Sequence, residues 1–332
     1  MWYYKTSKDS DVVISTRVRY ARNIDKKRFP NEMNESEFQD IFEKLSKAID
    51  KSKYSIFKLS NLDDTTILSL VEEHLISKEF AGKDNMAGII TNKDNTIVTM
   101  INEEDHLRIQ SFDSGFNIQN CYNRLKSFSD SLEEKVDFAK SDKYGYLTAC
   151  PTNVGSAMRV SVMVHLPALA KLGILGKLME DVASARFSVR GLYGENTQGY
   201  GHMYQISNKY TLGISEKEII EKMEEITRLV IIQERKARDI LKESSIYLLN
   251  EVYRAYGILK NARIISDDES LKLLSKLRLG VAMGLVKEVD LDKIQMLMVN
   301  TKPNTLKLIL KEDLGREEED IKRGEYIRKE LE

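Results

Sequence analysis

Apolar residues recur along this chain with two different periods, and the changes between them mark out its elements. Val12, Val13 and Ile14 form a short apolar run that predicts a strand, leading into Arg17, Arg19 and Arg22. Phe38, Ile41, Phe42, Leu45 and Ile49 then repeat at helical spacing, with Asn34 as the cap and Glu37 at the reciprocal position. A second helix is predicted from about Thr65 to Ser77, burying Ile67, Leu70, Val71 and Leu75. The run from Met86 to Ile101 reads as a hairpin of two β-rich segments joined at Asn92-Lys93-Asp94-Asn95.

Helical spacing returns from Ile118 to Lys140, with Leu125, Phe128, Leu132 and Val136 on one face. Strands are predicted over Tyr144–Pro151 and Arg159–Pro167. In the latter Val160, Val162, Val164 and Leu166 alternate with Ser161, Met163 and His165, until Pro167 stops the strand. A helix from Ala168 to Arg186, broken near Gly173 and Gly176, and a glycine-rich run from Ser188 to Asn208 follow. Ser215 and Glu218 form a capping box for a long helix through Leu241. Past about Lys242 the strand signal fades into charged helices. The pattern predicts an α+β domain over residues 1–242, a mostly antiparallel sheet flanked by helices, and a helical C-terminal domain over residues 243–332.

Composition narrows the function. Lys+Arg (51) balances Asp+Glu (52) within 332 residues, so no broad basic field invites nucleic acid. No apolar run is long enough for a membrane span, and the N-terminus lacks a secretory pattern. Two cysteines, Cys121 and Cys150, form no disulfide framework or zinc spacing, which fits a reducing cytoplasm.

The candidate chemistry lies elsewhere. Nothing resembles a P-loop, a dinucleotide-binding glycine motif or a metal ligand set. Arg17, Arg19, Arg108, Arg159 and Arg190 stand at strand ends and loop starts. Guanidinium forks grip phosphate oxygens in pairs, so such a cluster suits a polyphosphate, although each also fits a surface arginine beside a strand. Glu103, Glu104 and Asp105 follow one another, with Arg108 close behind. On extended backbone Glu103 and Asp105 share a face and Glu104 points away. Carboxylates beside a cation suit proton abstraction or holding a cation; a solvated acidic loop is the plainer reading. Glu195 sits between Gly194 and Asn196 in a glycine-rich loop, and Cys150 precedes Pro151, where a structural thiol is equally at home. His74, His106, His165 and His202 read individually as structural.

Four stretches taken in order carry a family likeness: Ser15–Asn23 (STRVRYARN), Asn102–Gln110 (NEEDHLRIQ), Cys150–Pro167 (CPTNVGSAMRVSVMVHLP) and Val189–Asn196 (VRGLYGEN). They resemble the phosphagen kinases and, more closely, the bacterial protein-arginine kinases of the McsB type. The likeness extends to the tail, Asn261–Leu285. Ser15 opens the arginine-rich segment too early to leave room for the N-terminal helical domain of the small-guanidine kinases.

The resemblance implies ATP as phosphoryl donor, with Mg²⁺ carried by the nucleotide. It implies ATP contacts at Ser15, Thr16, Arg17, Val18, Arg19, His74, Arg108, Arg159, Val160, Ser161, Val162, Met163, Arg190, Gly191, Leu192, Tyr193, Gly194 and Glu195. Glu104 and Glu195 match the family's catalytic carboxylates and Cys150 its active-site cysteine.

The implied activity is phosphorylation of arginine side chains in proteins, tied to stress response and Clp-dependent degradation. Implied partners are exposed arginines on proteins, an McsA-type activator, the repressor CtsR and ClpC–ClpP. A homodimer is expected, with Leu271, Leu274, Leu277, Leu279 and Met283 offering an apolar face that would otherwise be the tail's own core. Competing readings are a kinase for a free guanidine such as arginine and a non-catalytic adaptor. One departure stands out. The family's phosphoarginine-binding RDxxRA motif is matched only by Glu319–Gly324, with Glu319 for the first arginine and Gly324 for the alanine, which predicts weak or absent phosphoarginine feedback.

Overall fold

A computed structural model describes residues 1–83, 85–191, 200–243 and 245–332, and it is built around an eight-stranded sheet. Strand β1 (Val13–Arg22) is followed by helix α1 (Glu35–Ala48), β2 (Tyr54–Lys58), α2 (Asp64–Glu72) and α3 (Lys78–Ala81). Strands β3 (Gly88–Asn92), β4 (Ile97–Ile101) and β5 (Leu107–Ser114) precede α4 (Ile118–Glu133). Then come β6 (Lys140–Ser141), β7 (Gly145–Tyr146), β8 (Met158–His165), α5 (Pro167–Lys171), α6 (Leu175–Ser184), β9 (Phe187–Gly191), β10 (Met203–Asn208) and α7 (Glu216–Glu243). The C-terminal part contains α8 (Ser245–Asn261), α9 (Asp267–Ala282), α10 (Leu291–Asn300), α11 (Pro303–Leu310) and α12 (Arg316–Leu331).

Local signals account for many boundaries. Asn34 and Glu37 close a reciprocal capping box on α1, each accepting the other's backbone N–H at 3.0 Å. Ser215 and Glu218 do the same for α7. Pro167 ends β8 and opens α5, and Gly173, at φ +71°, separates α5 from α6, whereas Gly176 lies inside α6.

Other expectations are corrected. The second helix stops at Glu72, because His74 adopts a left-handed φ of +59°; the chain then restarts as the short α3. Only Gly145 and Tyr146 of the Tyr144–Pro151 stretch pair as a strand. Ser161 and His165, the polar alternates of β8, are buried, Ser161 beside the Arg17 side chain and His165 against Ser275 and Arg278 of the C-terminal part. Leu271, Leu274, Leu277 and Leu279 are buried in the core of the C-terminal part, so they are not a face for a second copy.

The sheet runs β2-β3-β4-β5-β1-β8-β10-β9 with every pairing antiparallel. One face carries Val18, Tyr20, Ile109, Val160, Val162, Val164 and Ile206 into the main core with Phe38, Leu45, Leu125 and Val230. The other face is covered in two places. Leu75, Phe80, Ile89, Met100 and Phe112 pack together at one end under α2 and α3. At the other, Met203, Ile14 and Met163 meet the core of the C-terminal part. The strip between these covers is polar.

Candidate active site

Register builds the polar strip. On β1, Arg17 and Arg19 share a face. Arg19 lies opposite Gln110 of β5 and Arg159 of β8, and Arg17 lies opposite Phe112 and Ser161. Ser161 in turn faces Ser207 of β10, and Gln205 of β10 faces Arg190 of β9. Side chains fix the guanidinium groups. Arg17 donates from Nη2 to Gln205 Oε1 at 2.9 Å and from Nε to Ser161 Oγ at 3.3 Å. Arg159 donates to Ser207 Oγ at 3.0 and 3.3 Å.

These cations crowd one another. Burial, and then the charges of Arg108 and Arg159, push Arg17 down to about 9. Arg19 is driven well below its ordinary value by burial and by Arg108, Arg17 and Arg159. Guanidinium groups stay protonated in proteins, so the crowding is held as repulsion that an anion would relieve. Both side chains remain partly open to solvent, as expected for residues lining a concave cleft. Arg22, which follows them on the same strand, points the other way and is buried, its guanidinium 4.0 and 3.4 Å from the ring centres of Tyr20 and Tyr146.

The acidic stretch is a tight turn rather than extended backbone. Asn102 takes φ +67° and donates its N–H to His106 O at 2.9 Å, while its side chain donates to Met86 O at 2.7 Å. Lys83 Nζ donates to the carbonyl oxygens of Asn102, at 2.6 Å, and Glu103.

Each carboxylate then has a different environment. Glu103 is buried and accepts from Ser77 Oγ at 2.7 Å, Arg108 Nη1 at 2.6 Å and Glu104 N at 2.8 Å. Burial would raise its pKa, but Arg108 and these donors outweigh that and hold it below the ordinary value. Asp105 is buried, accepting from Asn23 Nδ2 at 2.6 Å and Ala149 N at 2.7 Å; burial prevails and its pKa is raised. Glu104 is the exposed member. Burial of part of its surface, and then the charges of Asp105 and Glu103, raise its pKa. Asn153 Nδ2 donates to it at 3.3 Å and Cys150 is in hydrogen-bond contact. Cys150 Sγ also lies 3.0 Å from Thr152 Oγ1.

Of the histidines, His106 is structural: its Nδ1 accepts from Ile24 N at 2.9 Å and its Nε2 donates to Arg28 O at 2.7 Å. His165 is buried between Ser275 Oγ, at 2.8 Å, and Arg278 Nη1, at 2.9 Å. His74 differs. Its ring is exposed to the cleft yet hemmed in by protein, and this crowding, with the charges of Arg17, Lys302 and Lys78, pushes it down to about 4. It is therefore neutral near pH 7.

Arg108 joins the two halves, because it bonds Glu103 and crowds Arg17 and Arg19. Ser15, Thr16, Val18, Val160, Val162, Met163 and Gly191 lie on the same strands, with Thr16, Val18, Val160 and Val162 facing the core rather than the cleft. Leu192, Tyr193, Gly194 and Glu195 lie outside the described residues. Sequence reading missed Ser77, Lys83, Asn23, Asn153, Gln205 and Ser207. The last two could be found by carrying period-two parity across β10, but the others come from loops with no periodic signal. Among the described residues no group of three His, Cys, Asp or Glu side chains is placed to hold a metal, and no helix is long and apolar enough to cross a membrane.

An antiparallel sheet with a cationic strip ending at a carboxylate turn is the architecture of a guanidino phosphotransferase. Residues 34–237 match the model of the ATP:guanido phosphotransferase C-terminal catalytic domain, and residues 245–332 match that of the protein-arginine kinase McsB C-terminal domain. The chain is similar to a solved duplicated taurocyamine kinase of Schistosoma mansoni with bound transition-state-analogue components. That match has 30% identity and a TM-score of 0.61, and covers 68% of this chain and 33% of that one. A solved lombricine kinase aligns at 25% identity and TM-score 0.61, over 68% of this chain and 67% of that one. Full-length relatives are closer in sequence. The protein-arginine kinase of Clostridium acetobutylicum is 38% identical over 99% of both chains, and that of Caldanaerobacter subterraneus is 41% identical over 97% of this chain and 98% of its own. The chain belongs to the protein-arginine kinase family.

Proposed function

We propose that this protein transfers the γ-phosphoryl group of ATP to arginine side chains of other proteins. The observation that carries the proposal is the outward-facing Glu104, its pKa raised by partial burial and then by Asp105 and Glu103, at the edge of a strip of crowded guanidinium groups. A substrate guanidinium has a pKa above about 12 and is a poor nucleophile while protonated. Glu104 would grip its N–H groups and take one proton as a guanidino nitrogen attacks the γ-phosphorus. An N–P bond forms, the P–O bond to ADP breaks, and the proton remains on Glu104.

Arg17, Arg19, Arg108, Arg159 and Arg190 would hold the phosphates and take up charge on the transferring group, and positioning and charge supply most of the catalysis in such transfers. Mg²⁺ on the nucleotide would add further neutralisation of phosphate charge; the chain itself gathers no acidic ligand set for it among the described residues. His74, neutral and beside Arg17, is suited to contact the nucleotide without adding charge. Glu195 is proposed as the second carboxylate on family likeness alone. Cys150 would tune Glu104 by its hydrogen bond.

The proposal divides the chain at residues 242/243, supported by the two matched ranges, which end at 237 and begin at 245. An McsA-type activator, CtsR, ClpC–ClpP, a homodimer, a role in stress response and a cytoplasmic setting are proposed on family likeness, the last aided by free Cys121 and Cys150.

The test is incubation with Mg·ATP and either a mixed protein lysate or free arginine, with Glu104→Gln as control and phosphoarginine read by mass spectrometry at neutral pH. Label on protein arginine that is lost in the control supports the proposal. Label on free arginine alone would make the enzyme a small-guanidine kinase. No transfer to either would leave an adaptor.

A further inference from the structure

The two covers of the polar strip meet at Glu72. This residue ends α2, two positions before His74. Its Oε1 accepts from Asn304 N at 3.0 Å and Asn304 Nδ2 at 2.7 Å. Its Oε2 accepts from Thr305 N at 2.8 Å and Thr305 Oγ1 at 2.9 Å. Asn304 and Thr305 lie in the first turn of α11, where backbone N–H groups have no partner within the helix. Pro303 opens that helix and Lys302 makes no side-chain cap. Glu72 is thus the cap of a helix in the other part of the chain, its negative charge at the positive end of the helix dipole.

The consequence falls on His74. It holds φ +59°, a conformation that is unfavourable for a non-glycine residue and persists only where its surroundings impose it. On one side of it, Leu75 O accepts from Gln110 Nε2 at 2.8 Å, and Gln110 is the cross-strand partner of Arg19. On the other side stands Glu72, tied to α11 by those four hydrogen bonds. His74 is held between the arginine strip and the C-terminal part.

We propose that Glu72 is a positioning residue for the nucleotide site: by capping α11 it lets the helical C-terminal part set the place of His74 in the cleft. Nucleotide affinity is then under the control of that part, which adds a C-terminal determinant to the arginine strip. The inference rests on the proposed nucleotide contact of His74.

The experiment is a double-mutant cycle on the full chain with Glu72→Ala and His74→Ala, reading KM for ATP, kcat, ADP affinity by calorimetry, and Tm. Each single substitution is expected to raise KM for ATP and weaken ADP by about fivefold or more, with kcat much less affected. Glu72→Gln, which keeps one oxygen for Asn304, should fall between Glu72→Ala and the wild type. In the His74→Ala background, Glu72→Ala should still lower Tm but add no further rise in KM. A Glu72→Ala protein that loses Tm while KM and ADP affinity stay unchanged, or effects that simply add, would overturn the inference and leave the nucleotide reading intact. If His74→Ala itself leaves both nucleotide readouts unchanged, the nucleotide role of His74 fails and the inference fails with it.

Discussion

Arg108 Nη1 donates to Glu103 Oε1 at 2.6 Å, so a cation that faces Arg17 and Arg19 is also the partner of the carboxylate beside Glu104. The donor and acceptor sides of the cleft are therefore mechanically joined. Glu103 also accepts the Glu104 N–H, which fixes the turn from which Glu104 projects. Glu103→Ala would leave Arg108, Ser77 and that N–H without their acceptor. Stability should fall by about 1–3 kcal/mol, and turnover by about a hundredfold through displacement of Glu104. Thermal melts and steady-state kinetics check both, and a normal kcat would mean that Glu103 does not position the turn.

Glu104→Gln keeps the shape of the side chain and removes the base. Turnover should drop by about 10²–10⁴-fold while ATP still binds, because the arginine strip is untouched. Calorimetry with ATP beside a phosphotransfer assay separates the two. Near-normal rates would show that another group takes the proton.

The acid limb of the kcat/KM profile should lie above the ordinary glutamate value of about 4.3, since burial and the charges of Asp105 and Glu103 raise Glu104. The base form is present above that raised pKa, so activity is lost as pH falls through it. The hydrogen bond from Cys150 opposes the rise. Cys150→Ala should therefore retain nucleotide binding and move the acid limb to higher pH; a limb that stays put or moves lower would rule out this tuning.

Arg323 is buried, donating from Nε to Thr301 O at 2.7 Å and from Nη1 to Ile265 O at 2.9 Å and to Asp320. Glu319 is paired with Lys307 at 3.0 Å. A cation already committed to backbone carbonyls, beside a carboxylate where the family has an arginine, is poorly placed to take a phosphoarginine. Adding a phosphoarginine peptide should change the rate little, and strong activation would contradict this.

Gly324 explains the other departure from that motif. A Cβ there would lie 2.9 Å from Arg263 O and 3.3 Å from Ala262 O, and backbone atoms do not give way readily. Gly324→Ala should lower stability by about 1–3 kcal/mol, despite alanine's better helix propensity. An increase in Tm would show that α12 can shift to accept the methyl group.

Much was legible in the chain itself. Periodicity and caps located α1, the β3–β4 hairpin, α4, β8 and α7, because a cap or an apolar stripe is written within a few neighbouring residues. The ordered motifs identified the chemistry and the family. What they could not supply was destination. Arg17, Arg19 and Arg22 look alike in sequence, but strand parity and the Tyr20–Tyr146 pair send Arg22 to the opposite face. The three successive carboxylates were read as alternating on extended backbone. A left-handed Asn102, stabilised by Met86 O and Lys83, turns them instead and gives each its own partners. His74 read as a helical residue, but it takes a left-handed φ and the chain turns there, with Leu75 N and Ile76 N donating to Leu70 O. The amino-acid order thus determined which elements form and which reactive groups are present, since both depend on neighbours along the chain. Tertiary structure decided which of those groups meet, because register, burial and charge partners come from residues far apart in that order.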